Sequence, residues 1–432
     1  MEESFNLKVE YTPRIRGEVT APSSKSYTQR ALIIGGMDGD TEIINPLRSD
    51  DTMNAVSVIR ALGAEVEDRD GSFPVKGFNG KPRPVCGVIN VGENGTLLRF
   101  VLAILSLGEG EFKVDGEKSL KARPNRSIVN ALKSLGVEIE GTGGSHLVPV
   151  RIKGKGNIRG GEVVIDGRTT SQAVSALLAV APLASGDVVL RIQNELVSSP
   201  YVDITLDVLK RAGIRVERDG YRCFSVKSGQ RFGPVGRITV HGDYSSAAFL
   251  MAAAVLTESD VTIKDLADDC QGDKKIVDIL EAMGAEIKRG EDCLMIKGPF
   301  DLRGIDVDCA DTPDLVPVLT VLGCFAGGSM RIYNVSHLLY KESNRLAQPA
   351  GELKKLGAKI VSSEGGLVIE GSRLNPGEVF SWGDHRVAMA LAVAGLRIKG
   401  GLTIGNAECI NKSYPGFIGD MKGLNAKMEV RG

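Results

Sequence analysis

The residues able to do chemistry gather at the starts of six apolar segments: SYTQRALIIGGM, GTLLRFVLAILSL, SQAVSALLAVAPLA, SSAAFLMAAAVL, DLVPVLTVLGCFA and DHRVAMALAVAGL. Each is rich in Ala, Leu and Val nearly all round, the pattern of a helix buried on every side. Their first turns are polar instead. The first carries Ser24, Lys25, Ser26 and Arg30, the second Thr96 and Arg99, the third Thr170, Ser171 and Gln172. The fourth carries Ser245 and Ser246, the fifth Asp311, Thr312 and Asp314, the sixth Asp384, His385 and Arg386. Capping accounts for the Ser, Thr and Asp residues, each worth about 1 kcal/mol at a helix start. It does not account for Lys25, Arg30, Arg99 and Arg386. A cation near a helix N-terminus opposes the helix dipole by a few tenths of a kcal/mol. An anion bound at the same place would reconcile the two, because open N–H groups with Arg and Lys make a phosphate or carboxylate site. If the six starts aim at a common cleft between two domains, a neutral protein would hold an intensely positive pocket. Its ligand would be small and multiply anionic.

The elements that must position these starts form an internal repeat. RALGAEVE (60–67), KSLGVEIE (133–140), RAGIRVER (211–218), AMGAEIKR (282–289), KLGAKIVS (355–362) and GLNAKMEV (423–430) share one pattern. Each reads as the end of an amphipathic helix, a small residue and a short strand. The small residue is Gly63, Gly136, Gly213, Gly284, Gly357 and, in the last copy, Asn425. Both types tolerate the left-handed conformation that ends a helix. Five of the apolar helices lead through a Gly- or Asp-containing turn into an alternating strand such as SGDVVLRIQ or ESDVTIKDL, and the sixth leads into GGLTIGNAEC. The halves also match, since RIRGEVTAPSSKSYTQRAL resembles GPVGRITVHGDYSSAAFL about 220 residues later. Two domains of three units each follow, one from 1–20 plus 240–432 and one from 21–239. The chain crosses between them near 17–24 and 233–243. An open solenoid is the other architecture with such a period; two matching halves without polar capping repeats speak against it.

Bulk composition excludes several classes. A chain of 432 residues is too long for one ordinary core. Its net charge of −1 provides no global field for nucleic acid or anionic lipid. Its single tryptophan leaves little for stacking on bases. The seven cysteines, Cys86, Cys223, Cys270, Cys293, Cys309, Cys324 and Cys409, are odd in number and form no C-x-x-C pair, against a disulfide framework or a structural zinc site. The histidines His146, His241, His337 and His385 are scattered too. MEESFNLKVE lacks the basic flank and apolar stretch of a signal peptide, and no apolar run reaches the ~18 residues of a membrane span. The expected compartment is the cytoplasm.

Nine fragments in order resemble the enolpyruvyl transferases. APSSKSYTQRAL is similar to that family's opening Ser-Lys-Ser signature, and GENGTLLRF to its Gly-rich segment ending Gly-Thr-x-x-Arg. ARPNRSIVNALKSLG, TTSQAVSALLAVAPLA, LVSSPYVDITLDVLK, DTPDLVPVLTVLGCFAGG, YKESNRLAQPAGELKKLGA, WGDHRVAMALAVAGL and KSYPGFIGD complete the set, from about Gly17 to Lys422. The resemblance implies an inside-out α/β barrel of two domains, each with three βαβαββ units. It implies transfer of an enolpyruvyl group from phosphoenolpyruvate to the 5-hydroxyl of shikimate 3-phosphate, by addition–elimination through a tetrahedral intermediate. By matching positions, Lys25, Gly95, Thr96, Arg123, Gln172, Arg345, Arg386 and Lys412 would surround phosphoenolpyruvate. Lys25, Ser26, Arg30, Thr170, Ser171, Gln172, Ser198, Tyr201, Asp314 and Lys341 would hold the acceptor. Lys25, Asp314 and Glu342 would be catalytic. Neither metal nor cofactor is implied, and the expected state is a monomer with small-molecule partners only.

This chain departs from the family pattern at three places. Glu93-Asn94 replaces the usual Asn-Ala, Thr170 replaces Ser, and His337 stands where Asn is common, either as a ligand contact or as a polar substitute. The sister transferase acting on UDP-N-acetylglucosamine is the nearest alternative. It usually carries Gly-Ala-Lys-Asn at the first helix and a reactive Cys in a long loop. Here the helix opens Ser-Ser-Lys-Ser and 115–127 reads DGEKSLKARPNRS, without cysteine. A non-catalytic phosphosugar-binding repeat protein is the alternative from another class.

Overall fold

Each repeat folds as a four-stranded sheet beside its buried helix. The computed structural model describes residues 4–83, 87–144 and 147–432, so Cys86 and His146 lie outside the described residues. In the sheet nearest the first helix, Asp40–Ile44 pairs in parallel with Gly236–Thr239 and antiparallel with Ser72–Lys76. Ser72–Lys76 then pairs antiparallel with Glu65–Val66. Six sheets repeat this order among the described residues. A parallel pair needs a crossover connection. In Val88–Asn90 to Glu109–Asp115 the crossover is the helix Gly95–Leu105; in Gly161–Asp166 to Val188–Gln193 it is Gln172–Val180.

The turn residues behave as their types require. Gly63, Gly136, Gly213, Gly284, Gly357 and Asn425 all have positive φ, between 69° and 109°. Each ends an amphipathic helix and turns the chain into an edge strand of its sheet.

The threading departs from simple succession. Arg14–Thr20, near the start, pairs in parallel with Glu258–Lys264, whereas Gly236–Thr239 belongs to the sheet of the Lys25 helix. Asn6–Val9 lies between Leu402–Gly405 and Met428–Arg431, antiparallel to both. The chain divides into two compact units, Met1–Ser23 with His241–Gly432, and Ser24–Val240. Each has its own core. One is built on the helices Tyr244–Leu256, Val316–Phe325 and His385–Arg397, the other on Lys25–Gly35, Gly95–Leu105 and Gln172–Val180. Every residue from Tyr244 to Leu256 is buried, as its all-round apolar sequence requires. Among the described residues no helix is long and apolar enough to cross a membrane.

Candidate active site

In the Ser24–Val240 unit, Ser24 caps the first helix and Lys25 is its first residue. Lys25 Nζ lies 3.0 Å from Asp51 Oδ2. The Asp51 carbonyl accepts from Asn94 Nδ2 at 3.2 Å, and Asn94 Oδ1 caps the next helix by accepting from Leu97 N at 2.9 Å. The departure at Asn94 is therefore a cap that joins two helix starts. Glu93 beside it is half-buried. Gly95 follows, and the space over its α-carbon is taken by guanidinium groups. A Cβ there would stand 2.8 Å from Arg99 Nη1, 2.9 Å from Arg123 Nη1 and 3.5 Å from Gln172 Oε1. Arg99 donates to the Gly95 carbonyl at 2.9 Å and to Gln172 Oε1 at 2.5 Å, while Gln172 Nε2 donates to Thr96 Oγ1 at 3.1 Å. Gly95, Thr96, Arg123 and Gln172 thus meet in one cluster.

Arg30 makes a second cluster in the same unit. It is 1% exposed. Its Nε donates to Thr205 Oγ1 at 2.8 Å and its Nη1 to the Ser26 carbonyl at 3.1 Å. Its guanidinium stands 5.9 Å from the Tyr201 ring and 6.0 Å from that of Phe100. Among the described residues it has no carboxylate partner. Burial draws its pKa down to about 10, so it remains a buried cation at neutral pH. Ser198, just before Tyr201, is also buried. It has φ 57° and a hydroxyl without a hydrogen-bond partner among the described residues. Strained non-glycine backbone of this kind concentrates at ligand sites. Ser171 is buried at the start of the Gln172 helix, and Thr170 Oγ1 accepts from Gln172 N at 3.2 Å.

In the other unit two arginines share a set of carboxylates. Arg345 is 1% exposed. It reaches Asp384 Oδ2 at 2.8 Å, Asp314 Oδ1 at 2.6 Å and Glu342 Oε2 at 2.8 Å. Burial works against its charge, but Asp384, Glu342 and Asp314 more than offset that and hold its pKa well above the usual value. Arg386 Nη2 lies 3.2 Å from Asp314 Oδ2 and 3.6 Å from Asp243 Oδ2, and its Nη1 donates to Ser246 Oγ at 3.3 Å. Asp384 caps the His385 helix through Arg386 N at 2.9 Å. Lys412 Nζ donates to the Gly383 carbonyl at 2.9 Å, just ahead of that cap. His337 is buried, and among the described residues neither ring nitrogen has a hydrogen-bond partner. Burial and the nearby Lys341 and Arg345 bring its pKa down to about 3, against the pull of Asp314, so the ring is neutral.

Two sequence expectations need correction. Asp314 is not inside the apolar helix but in the 3-10 turn Pro313–Leu315 before Val316–Phe325. Pro317 cannot donate to the Pro313 carbonyl, so the α-helical ladder cannot extend back through that turn. Nor is the corner around Arg345 and Arg386 strongly positive. Four carboxylates, Asp243, Asp314, Glu342 and Asp384, stand against its two arginines, so incoming anions would have to compete with carboxylates for the forks. Asp51, Asp243, Ser175 and Thr205 carry no local signal and were missed. Thr205, which accepts from Arg30 and lies 2.9 Å from Ser175 Oγ, is joined to it across 175 residues of chain.

The arrangement offers paired guanidiniums for phosphate or carboxylate, a carboxylate shared between two of them, and a lysine held by an aspartate. The family model of EPSP synthase (3-phosphoshikimate 1-carboxyvinyltransferase) matches residues 9–421. The 3-phosphoshikimate 1-carboxyvinyltransferase of Methanocella arvoryzae is 42% identical over 416 residues, covering 96% of this chain and 97% of its own. That of Methanocaldococcus jannaschii is 40% identical, covering 99% and 100%. A solved EPSP synthase from Acinetobacter baumannii superposes with a TM-score of 0.84 at 26% identity, covering 100% of both chains. The enolpyruvyl transferase NikO from Streptomyces tendae superposes with a TM-score of 0.80 at 19% identity, covering 99% of both chains, a likeness of fold. The fold is the two-domain inside-out α/β fold of these structures.

Proposed function

The chain belongs to the EPSP synthase family, and from that premise we propose that it transfers the enolpyruvyl group of phosphoenolpyruvate to the 5-hydroxyl of shikimate 3-phosphate, releasing inorganic phosphate on the route to aromatic amino acids. Arg30 carries the reading best: a buried cation without a carboxylate partner among the described residues is suited to an anionic ligand. Arg30 and Ser26 take the carboxylate side of the acceptor. Thr170, Ser171, Gln172, Ser198 and Lys341 take its phosphate side, with Lys25 close by, Tyr201 as a wall and neutral His337 as a further polar contact. Lys25, Arg123, Gln172, Arg345, Arg386 and Lys412 face phosphoenolpyruvate, beside the Gly95-Thr96 backbone.

Lys25, Asp314 and Glu342 are the catalytic residues of this proposal. Asp314 accepts the proton of the 5-hydroxyl as its oxygen bonds to C2 of phosphoenolpyruvate, while the methylene carbon gains a proton. Glu342 and Lys25 handle the methylene proton and the charge of the phosphate. Loss of that phosphate breaks the C2–O bond, and loss of a proton from the new methyl group restores the double bond. Arginine forks suit the departing phosphate because they grip it bidentately. The enzyme works as a cytoplasmic monomer, and light scattering should return the mass of a single chain. Phosphate release from phosphoenolpyruvate, assayed with each acceptor in turn, tests the whole reading. Release with shikimate 3-phosphate and not with UDP-N-acetylglucosamine is expected; the reverse overturns it.

A further inference from the structure

Asp273 lies in the 3-10 turn Gly272–Lys274 that leads into the helix Lys275–Met283, and the mechanism above does not use it. Its side chain is 2% exposed. Ser245 Oγ donates to its Oδ2, while Oδ1 is buried without a hydrogen-bond partner among the described residues. A carboxylate buried with one bare oxygen is strongly disfavoured as an anion, and a protonated carboxyl much less so.

Its surroundings push the same way. Asp243 faces it from the cap of the Tyr244 helix and Asp314 from the Pro313 turn; Arg386, from the His385 helix, opposes them. Cys309 faces it from the segment before the Pro313 turn, but burial pushes that thiol up to about 12 and keeps it neutral. Lys274, on the same turn, is committed to Asp268 at 2.5 Å and to the Asp269 carbonyl at 2.9 Å. Two consecutive serines link the group to the site. Ser245 contacts Asp273, and Ser246 contacts Asp243 at 2.6 Å and Arg386 at 3.3 Å.

We propose that Asp273 carries a proton in the working enzyme and thereby keeps the Arg386 corner able to accept an anion. Asp273 is a positioning residue, since it acts through Arg386 and touches no reacting atom. With the proton in place, Arg386 faces two carboxylates, Asp243 and Asp314, of which Arg345 shares the second. Without it, a further buried negative charge faces the incoming phosphate or carboxylate. Burial, and after it Asp314, raise the group to about 7, so the proton is mostly in place below neutrality, shared about equally between the two forms at neutrality, and lost above it. The sign follows: affinity for phosphoenolpyruvate holds below neutral pH and falls as pH rises.

The inference rests on the reading that Arg386 faces phosphoenolpyruvate, and the test separates the two. KM for phosphoenolpyruvate is measured from pH 6.5 to 8.5 at saturating shikimate 3-phosphate for the parent, Asp273→Asn and Ser245→Ala. If only the protonated form binds, the parent's KM should exceed that of Asp273→Asn by about 10- to 30-fold at pH 8.5 and by less than about 3-fold at pH 6.5. Ser245→Ala removes a hydrogen bond that favours the anion, so its rise in KM should begin at higher pH than in the parent. Coincident profiles for parent and Asp273→Asn would overturn the inference. An Arg386→Lys variant with unchanged KM would instead overturn the assignment of Arg386. Infrared difference spectra of the parent read the proton without any ligand. A protonated-carboxyl band that disappears between pH 6.5 and 8.5 in the parent, and at higher pH in Ser245→Ala, supports the proposal; a band unmoved by Ser245→Ala, or no band at pH 6.5, refutes it even if Asp273→Asn does not fold.

Discussion

Arg30 and Asp314 make opposite demands on the protein. Arg30 is held in the core by Thr205 and the Ser26 carbonyl, with burial drawing its pKa down. Replacing a buried charge with an apolar group of similar length is often neutral or stabilising by ~1–4 kcal/mol. Arg30→Met should therefore leave the ligand-free protein as stable as the parent or more so in urea, while weakening shikimate 3-phosphate by about ten- to a hundredfold, the worth of a charge-assisted contact. A destabilised variant that still binds tightly would make Arg30 a structural residue. Asp314 is exposed enough to meet a substrate and is shared between Arg345 at 2.6 Å and Arg386 at 3.2 Å. Asp314→Ala should cut turnover by about a hundred- to ten-thousandfold, because the transition state loses more than the ground state. Affinity for both anionic substrates should hold or tighten, since both guanidiniums lose a competing carboxylate. Retention of more than a tenth of the turnover would move the role of base to Glu342.

The repeated turn is the element on which the sheets depend. Gly213 isolates its backbone requirement: its φ is 78°, and a Cβ there would meet nothing within 4 Å. Gly213→Ala should cost about 1–2 kcal/mol from the left-handed conformation alone, and Gly213→Asn less. Urea unfolding should report that order with kcat and KM unchanged; equal stability of all three proteins would mean that the turn relaxes freely. These glycines, the buried helices and the strands after them could be read from sequence because each is a local pattern of period or residue type. The site was only partly legible, for a physical reason. Helix-start cations and caps are visible along the chain, but their carboxylate partners come from elsewhere. Asp243 precedes Arg386 by more than 140 residues, and Thr205 follows Arg30 by 175. Neither carries a local mark, so the carboxylates set against the guanidiniums of Arg345 and Arg386 could not be read along the chain. Ser198 was found only through the resemblance, since neither its left-handed backbone nor its bare hydroxyl can be read from a serine in a loop.

At the scale of the whole chain, the first and last described strands share one sheet. Asn6–Val9 is an interior strand of its sheet, with Leu7 opposite both Ile404 and Val430 and Asn6 opposite Arg431. Leu7 and Val9 are fully buried, and Thr12 N donates to the Leu396 carbonyl at 2.9 Å at the end of the His385 helix. Burying those two side chains contributes ~3–6 kcal/mol, besides the backbone bonds to both neighbours. Deleting residues 1–12 should therefore unpair the sheet behind the helix that carries Arg386, giving an inactive and poorly soluble protein. The same pairing makes the opposite change harmless. Since Asn6 faces Arg431 across an antiparallel pair, a short turn can join Gly432 to Ser4 in place of residues 1–3. New ends can then be opened between Glu364 and Gly365, at the exposed tip of the hairpin Lys359–Ser363/Gly366–Glu370, where a Cβ on Gly365 would meet nothing within 4 Å. Such tips are where permutation is best tolerated. The permutant converts the first strand into one that follows its sheet neighbour directly, so all six units follow one another as continuous or once-interrupted segments. It should fold with a native circular dichroism spectrum and release phosphate within about threefold of the parent rate, since it alters no contact of the site. An insoluble permutant, or a fully active deletion of residues 1–12, would show that the terminal strand is an accessory to this fold and not a part of its core.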